Sequence, residues 1–305
     1  MNYPKVSIII PTYNRANLLS RAIKSVLNQT FKDFELIIVD DGSTDNTKGV
    51  VEEFQKKDSR IKYIWQENSG APAKPKNTGI RQARGEYVAF LDDDDEWFPK
   101  KLEKQIELFE DNIGFVGCNI LIVDQISQLL KKFKMPEYPY KIFFEKLLGG
   151  DFTFTSSIVV VKREVLDEFG FFDENLKFGD DWDLWLRISK KYRFAFVPDF
   201  LVKYYIHQGS TTPHLHPEKE AKEFEYIFSK YQKDYRRYPV IYSMHLRKLA
   251  SRYCASGKLN KGRKYYVKSI KLNPLNLKSY LYLLLSFLGE RTFRKIYDFR
   301  KSLNK

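Results

Sequence analysis

Four consecutive aspartates, Asp92 to Asp95, are the densest run of reactive side chains in this 305-residue sequence. Neighbouring carboxylates repel, and they stay together only where a cation or a set of donors neutralises them. Mg²⁺ or Mn²⁺ suits that role, because these ions take hard oxygen ligands and keep substrate phosphates in their shell. On an extended backbone Asp92 and Asp94 share one face and Asp93 takes the other, so the four cannot all be ligands. Asp95 and Glu96 are expected to cap and charge a helix starting near Pro99, with Trp97 packed at that start. Pro11-Thr12-Tyr13-Asn14-Arg15 and Asp40-Asp41-Gly42-Ser43 are two further polar stretches. Either alone reads as a helix-capping loop, but with the aspartates they make three such stretches in equivalent positions. A second carboxylate group, Asp180-Asp181-Trp182-Asp183, opens another helix. A carboxylate there can take a proton from a nucleophile, or it can simply cap the helix. Asp183 and Arg187, four residues apart, read as a surface pair, and Trp185 as core. His207 follows an apolar run and suits a metal ligand or a structural histidine. His214 and His216, between prolines, read as a solvated loop.

The elements that must position these groups alternate along the chain. Val6–Ile10, Leu36–Val39, Ile61–Trp65 and Tyr87–Leu91 are short, continuous apolar runs, as expected of strands buried on both faces. Residues 17–29, 44–57 and 73–83 between them carry apolar positions at helical spacing. The alternation predicts an α/β fold: a mostly parallel, doubly wound sheet with helices on both faces. In such a sheet ligands sit beyond the carboxyl ends of the strands, where strand order reverses. The three polar stretches follow the first, second and fourth strands. Further on, the pattern predicts a helix over 99–111, strands over 115–123 and 155–162, helices near 140–148, over 163–169 and over 181–191, and separate strands over 194–197 and 201–206. Residues 218–305 read as all helix, with a hairpin that turns at Gly257 and ends before Pro274. The expected organisation is a catalytic or binding domain over 1–217 and a basic helical region over 218–305.

The formal net charge of +13 is unevenly placed. Residues 1–217 hold 30 Lys and Arg against 32 Asp and Glu, whereas residues 218–305 hold 22 against 7. This describes a near-neutral body with a basic appendage aimed at an anionic surface. The appendage carries no zinc, helix-turn-helix or RNA-binding signature, so no nucleic acid partner is expected. No run approaches the ~18 apolar residues of a spanning helix. The N-terminal residues lack the regions of a signal peptide, and a cytoplasmic protein, peripheral on the inner face of the membrane, is the expectation. Cys118 and Cys254 read as two buried free thiols.

VSIIIPTYNR, NQTFKDFELIIVDDGSTD, KNTGIRQARGEYVAFLDDDDEW and FGDDWDLWLR together resemble the inverting family-2 glycosyltransferases of GT-A fold, in order and spacing over residues 4–207. The resemblance implies transfer of a hexosyl or N-acetylhexosaminyl group from a nucleotide diphosphate donor, UDP-linked in most relatives, to a hydroxyl of a glycan or polyprenyl-linked acceptor, with Mn²⁺ or Mg²⁺ as cofactor. It places Pro11, Thr12 and Tyr13 at the base and ribose, with Arg15 in the same cofactor-binding segment, and Asp41 on the base. It puts Asp92 and Asp93 by the ribose and metal, and makes Asp94 the direct metal ligand. Lys76 stands where many relatives carry Arg and would neutralise diphosphate without the bidentate fork. Asn77, Gly79 and Arg84 match the same segment and read equally as structural. Asp181 aligns with the catalytic base, Asp180 with the acid before it, and His207 with a residue that completes the metal site. Two other classes share some of these features. A nucleotide-binding scaffold would keep the fold without turnover, and a nucleotidyltransferase would want a glycine-rich phosphate loop where PTYNRAN stands.

Overall fold

A computed structural model of the chain describes residues 3–125, 129–150, 153, 155–207 and 216–303. His214 lies outside them. The chain separates into two compact units: Met1–Leu147 with Asp151–Gly209, and Leu148–Gly150 with Ser210–Lys305.

The first unit opens as β1 (Val6–Thr12), α1 (Ala16–Leu27), β2 (Phe34–Asp40), α2 (Thr47–Gln55), β3 (Ile61–Trp65), α3 (Ala73–Gln82) and β4 (Tyr87–Phe90). It continues as β5 (Glu96–Trp97), α4 (Lys101–Ile106), β6 (Ile113–Asp124), β7 (Leu129–Phe133), α5 (Tyr140–Gly149), a 3-10 turn at Ser156–Ile158, β8 (Val160–Lys162), α6 (Arg163–Phe169), α7 (Asp180–Ile188) and β9 (Arg193–Ile206). Among the described residues the strands form one sheet in the order β3-β2-β1-β4-β8-β6-β9-β5, with β7 paired to β6. The pairs β1–β2, β1–β4, β2–β3 and β6–β9 are parallel, whereas β4–β8, β6–β8, β6–β7 and β5–β9 are antiparallel, so the sheet is mixed and not mostly parallel as expected. Right-handed crossovers put α1 and α2 on one face while the chain steps outward from β1 to β3. The return from β3 to β4 carries α3 over the other face. Strand order therefore reverses between β1 and β4, and a crevice opens at their carboxyl ends. The centre of the sheet is dry: Ile8, Ile9, Ile10, Leu36, Ile37, Val88 and Phe90 are fully buried.

Three further expectations change. The predicted strand over 155–162 shortens to β8, because Thr155 caps the 3-10 turn by accepting from the Ser157 N–H. The two strands over 194–197 and 201–206 are one long β9, whose register against β6 shifts beside Pro198 and Asp199. The helix expected over 99–111 shortens to α4, and β5 and β7 are strands that the apolar pattern does not announce.

The second unit contains α8 (Pro217–Lys230), α9 (Gln232–Tyr235), α10 (Pro239–Ala255), α11 (Leu259–Leu272), α12 (Leu277–Leu285), a 3-10 turn at Ser286–Leu288 and α13 (Glu290–Leu303). His216, read as solvated loop, is the N-cap of α8 and accepts from the Glu218 N–H. Ala250, Cys254, Tyr266 and Phe293 form the core, with Tyr282 and Leu283 packed against them. Close approach of α10 and α11 depends on Gly262, where a Cβ would lie 2.3 Å from Cys254 Sγ. None of the described helices is long and apolar enough to cross a membrane.

Candidate active site

The acid run is a turn, not the extended segment its alternation suggested. After β4 the chain folds so that the Asp95 N–H donates to the Asp92 carbonyl at 3.0 Å, and each carboxylate leaves in a different direction. Asp93 turns to the end of β1. Thr12 Oγ1 donates to its Oδ2 at 2.7 Å, and Arg15 Nη1 to its Oδ1 at 2.8 Å. The same Arg15 nitrogen reaches Asp94 Oδ2 at 2.7 Å, and His207 Nε2 lies 3.1 Å from that oxygen. Arg21 donates to the Asp94 carbonyl while its guanidinium lies 3.7 Å from the centre of the Tyr205 ring. Asp92 accepts from Thr155 Oγ1 at 2.9 Å.

Asp95 is fully buried, accepting from Ser157 Oγ at 2.6 Å and from the Tyr205 N–H at 3.3 Å. It does not cap a helix, because the turn aims it inward six residues before α4 begins. Glu96 does not cap either: it sits in β5, paired with Lys203 and Tyr205 Oη of β9. Trp97 packs as expected, with Lys101 Nζ 4.0 Å from its ring centre. Thr155, Ser157, Arg21 and Tyr205 escaped the sequence reading; the only hint was the cluster of hydroxyls in Thr155-Ser156-Ser157.

Burial dominates the electrostatics of the turn. It pushes the Asp93 carboxyl up to about 6 against the opposing pull of Arg15. Burial, with Asp94 and Asp92 adding to it, holds Asp95 well above the usual range. Asp92 is also raised by burial, although Lys76 acts against the shift. Burial, more than mutual repulsion, thus disfavours the charged carboxylates of this turn, and a cation bound beside them would favour that charge.

The second carboxylate group approaches through α3 and α7. Lys76 of α3 is buried, and its Nζ donates to Asp180 Oδ2 at 3.1 Å. Burial opposes the charged ammonium, but Asp180, Asp92 and Asp181 outweigh it and raise its pKa. Lys76 is thus the charge between the two acid groups. Asp180 is the first residue of α7, after Gly179 at φ 72°. Asp181 is partly exposed, and its Oδ1 accepts the Trp182 N–H at 2.8 Å. The Asp183–Arg187 pair forms at 3.0 Å, but Asp183 is fully buried, so it is not the surface pair expected. Arg187 also donates to the carbonyls of Phe169, Gly170 and Phe171, which ties α7 to the end of α6. Trp185 is core, stacked 5.2 Å from Phe115. Trp182 is buried as well, donating to the Leu147 carbonyl at 2.8 Å. Asn77 clamps Phe172 through both backbone groups, and the Arg84 N–H donates to Glu35.

At the end of β2, Asp41 accepts from Gln66 Nε2 and from the N–H and Oγ of Ser69, which anchors the loop before α3. Tyr13 is 47% exposed, Pro11 is partly buried, and Thr12 is committed to Asp93.

Asp94 and His207 fit a divalent cation. They offer one hard oxygen and one imidazole nitrogen within 3.1 Å, beside carboxylates that burial has left under-neutralised. Among the described residues no group of three or more His, Cys, Asp and Glu forms a complete cage. The pair would therefore share its ion with phosphate and water, as Mg²⁺ and Mn²⁺ sites usually do.

A mixed sheet, parallel across β3-β2-β1-β4 and antiparallel where β4 meets β8, with an acidic turn at its switch point and a second carboxylate on a neighbouring helix, is an arrangement suited to nucleotide diphosphates. The comparisons narrow this class. Residues 7–170 match the family model described as glycosyl transferase family 2. A Campylobacter jejuni protein named GalNAc(5)-diNAcBac-PP-undecaprenol beta-1,3-glucosyltransferase is 33% identical over 99% of both chains. An Escherichia coli protein named UDP-Glc:alpha-D-GlcNAc-diphosphoundecaprenol beta-1,3-glucosyltransferase is 40% identical over 61% of this chain and 70% of its own. Among solved structures, S. aureus TarS 1-349 in complex with UDP-GlcNAc shares the fold, with TM-score 0.71, 20% identity and coverage of 98% of this chain and 92% of that one. The chain belongs to glycosyl transferase family 2 and is a glycosyltransferase of GT-A fold.

Proposed function

We propose that this enzyme transfers a hexosyl or N-acetylhexosaminyl group, with inversion, from a UDP-sugar to a hydroxyl of a polyprenyl-diphosphate-linked glycan. The observation that carries the reading is the meeting of Lys76 with Asp180 at 3.1 Å, which sets the Asp181 end of α7 beside the Asp92–Asp95 turn. The two relatives support the substrates, since both are named as β-1,3-glucosyltransferases acting on undecaprenol-linked glycans. A β product from an α-linked donor such as UDP-glucose requires inversion.

In this reading Asp181 accepts the proton of the acceptor hydroxyl as its oxygen attacks the anomeric carbon and the bond to the diphosphate breaks. Pro11, Thr12, Tyr13 and Asp41 border the base and ribose, while Arg15, Lys76, Asp92 and Asp93 set the charge around the diphosphate. Asp94 and His207 would hold Mn²⁺ or Mg²⁺, which supplies positive charge to the leaving group when bound. The basic C-terminal helices bring the enzyme to the inner membrane surface, where such an acceptor resides.

The test is a panel of nucleotide sugars incubated with Mn²⁺, with release of nucleotide measured first alone and then with a synthetic polyprenyl-diphosphate disaccharide. The product's anomeric configuration is then read by NMR. UDP release and a β-linked product are expected. An α-linked product would overturn inversion, and turnover of GDP-sugars alone would overturn the donor.

A further inference from the structure

The helix α12 is built inside out. Ser279 of α12 and Ser286 of the 3-10 turn after it are fully buried, while Leu277, Tyr280, Leu281 and Leu284 of the helix and Leu288 of the turn are between 40% and 76% exposed. At 100° per residue Leu277, Tyr280, Leu281 and Leu284 of α12 lie within one arc opposite Ser279, with Leu288 of the following 3-10 turn and Leu275, 86% exposed, extending the patch at its two ends. The inner side is satisfied without them: Ser279 and Ser269 share a hydrogen bond at 2.8 Å, Ser286 donates to the Leu283 carbonyl, and Tyr282 and Leu283 pack on the Tyr266–Phe293 core. A contiguous apolar face of this kind marks an interaction surface.

The charges around the face choose its partner. Exposed Lys264, Lys268 and Lys271 follow one side of α11, Lys278 lies on α12, and Arg291, Arg294 and Lys295 occupy the first turns of α13. Residues 235–305 hold only two acids, Glu290 and Asp298. The acids of α8 do not offset this set, being engaged with other cations: Glu218 with Lys258, Glu220 with Arg252 and Glu225 with Lys261. Arg294 is paired with Asp298 at 3.9 Å, but the exposed cations of α11, α12 and α13 outnumber their acids, and an apolar face on such helices matches an anionic bilayer, whose head groups attract the cations and whose acyl boundary takes the leucines. A helix of nine residues is too short to span, so it would lie in the plane of the interface.

We propose that the outer face of α12 inserts into an anionic lipid surface, with Leu277, Leu281 and Leu284 as its apolar anchors. This deepens the membrane contact proposed above and is independent of the transfer chemistry. The test uses the full chain and vesicles of phosphatidylcholine with or without phosphatidylglycerol. Sedimentation with the anionic vesicles should weaken roughly tenfold or more in the Leu277→Gln/Leu281→Gln/Leu284→Gln variant, and less in Lys268→Gln/Lys271→Gln, whose residual binding should depend less steeply on salt. These leucines are exposed, so unchanged circular dichroism is expected. In a second measurement, Leu284→Cys is labelled with a polarity-sensitive dye, selectively because Cys118 and Cys254 are buried. The emission should shift to the blue with anionic vesicles only. Unchanged sedimentation of the triple variant, or no emission shift, overturns the proposal. A lipid-independent change from dimer to monomer in the triple variant also overturns it, making a second copy the occupant. UDP-sugar hydrolysis without lipid should be equal in parent and triple variant; its absence in both would count against the proposed donor and leave the membrane result standing.

Discussion

Asp181, in the first turn of α7, and Asp95, in the turn after β4, have opposite surroundings. Asp181 is partly exposed, whereas Asp95 has its oxygens spent on Ser157 and Tyr205. If Asp181 is the base proposed above, Asp181→Asn should lower kcat by roughly 10²–10⁴ and leave UDP affinity unchanged by calorimetry, since the amide fills the same volume but cannot accept the proton. Asp94→Ala should abolish the metal dependence of UDP binding in the same titration. Asp95→Ala should instead cost about 1–3 kcal/mol of folding stability in denaturant titration, because Ser157 and the Tyr205 N–H lose a buried partner. The residue types were legible in the sequence, but the directions in which they point were not. Alternation along a strand is a rule of extended backbone, and the turn at Asp92–Asp95 cancels it. Lys101 is a second buried surprise, lying in α4 with no hydrogen-bond partner for its Nζ, and burial pulls its pKa down to about 7. The unfolded chain then holds more protons than the folded one between about 7 and the ordinary 10.5, so this residue's contribution to stability rises with pH across that window. Lys101→Met should raise Tm most at pH 7 and below, where the folded enzyme carries the unpaired charge, and the gain should vanish towards pH 10.5.

At the scale of elements, α3 does the most positioning for the fewest residues. It carries Lys76 and Asn77 on the side that meets α7 and Phe172, and it lies against β1 through Gly79, where a Cβ would come 2.5 Å from Ile9 Cγ2. Gly79→Ala should push the helix off the sheet, costing about 1–3 kcal/mol and lowering transfer along with it, because Lys76 moves with the helix. Melting temperature and kcat measured on the same preparation would show whether the two fall together. The parallel half of the fold was readable, since strands buried on both faces must be continuously apolar and β2 is buried throughout; Ile61–Trp65 has the bounds expected of it, but it is an edge strand in which only Ile61 is buried. The second half was harder. Thr155–Lys162 is β-branched and apolar enough for a strand, yet the Thr155 side chain captures the backbone and winds its start into a 3-10 turn. β7 has four exposed residues among its five, and β5 is only two residues long, so neither presents a hydrophobic period to find.

For the whole molecule, the two compact units are not two consecutive stretches of sequence. Leu148–Gly150 fold with the second unit, where the Leu148 carbonyl accepts from His245 Nε2 at 2.9 Å and from Tyr235 Oη at 3.3 Å. A chain ended after residue 209 would leave that carbonyl without either donor. Such a truncation should melt at a lower temperature than the full chain instead of yielding an intact catalytic body, and differential scanning calorimetry would show it. The charge asymmetry of the halves was plain in the composition, but the loan of three residues was not, because nothing in Leu148-Gly149-Gly150 marks which unit they join. The division also gives each unit one thiol. Cys118 belongs to the first and Cys254 to the second, both buried, and burial pushes each up to about 12, so that neither forms an appreciable thiolate in the folded enzyme. Alkylation must then wait for a unit to open. Mass spectrometry of the two tagged peptides would time the opening of each unit separately, using clocks the protein already carries.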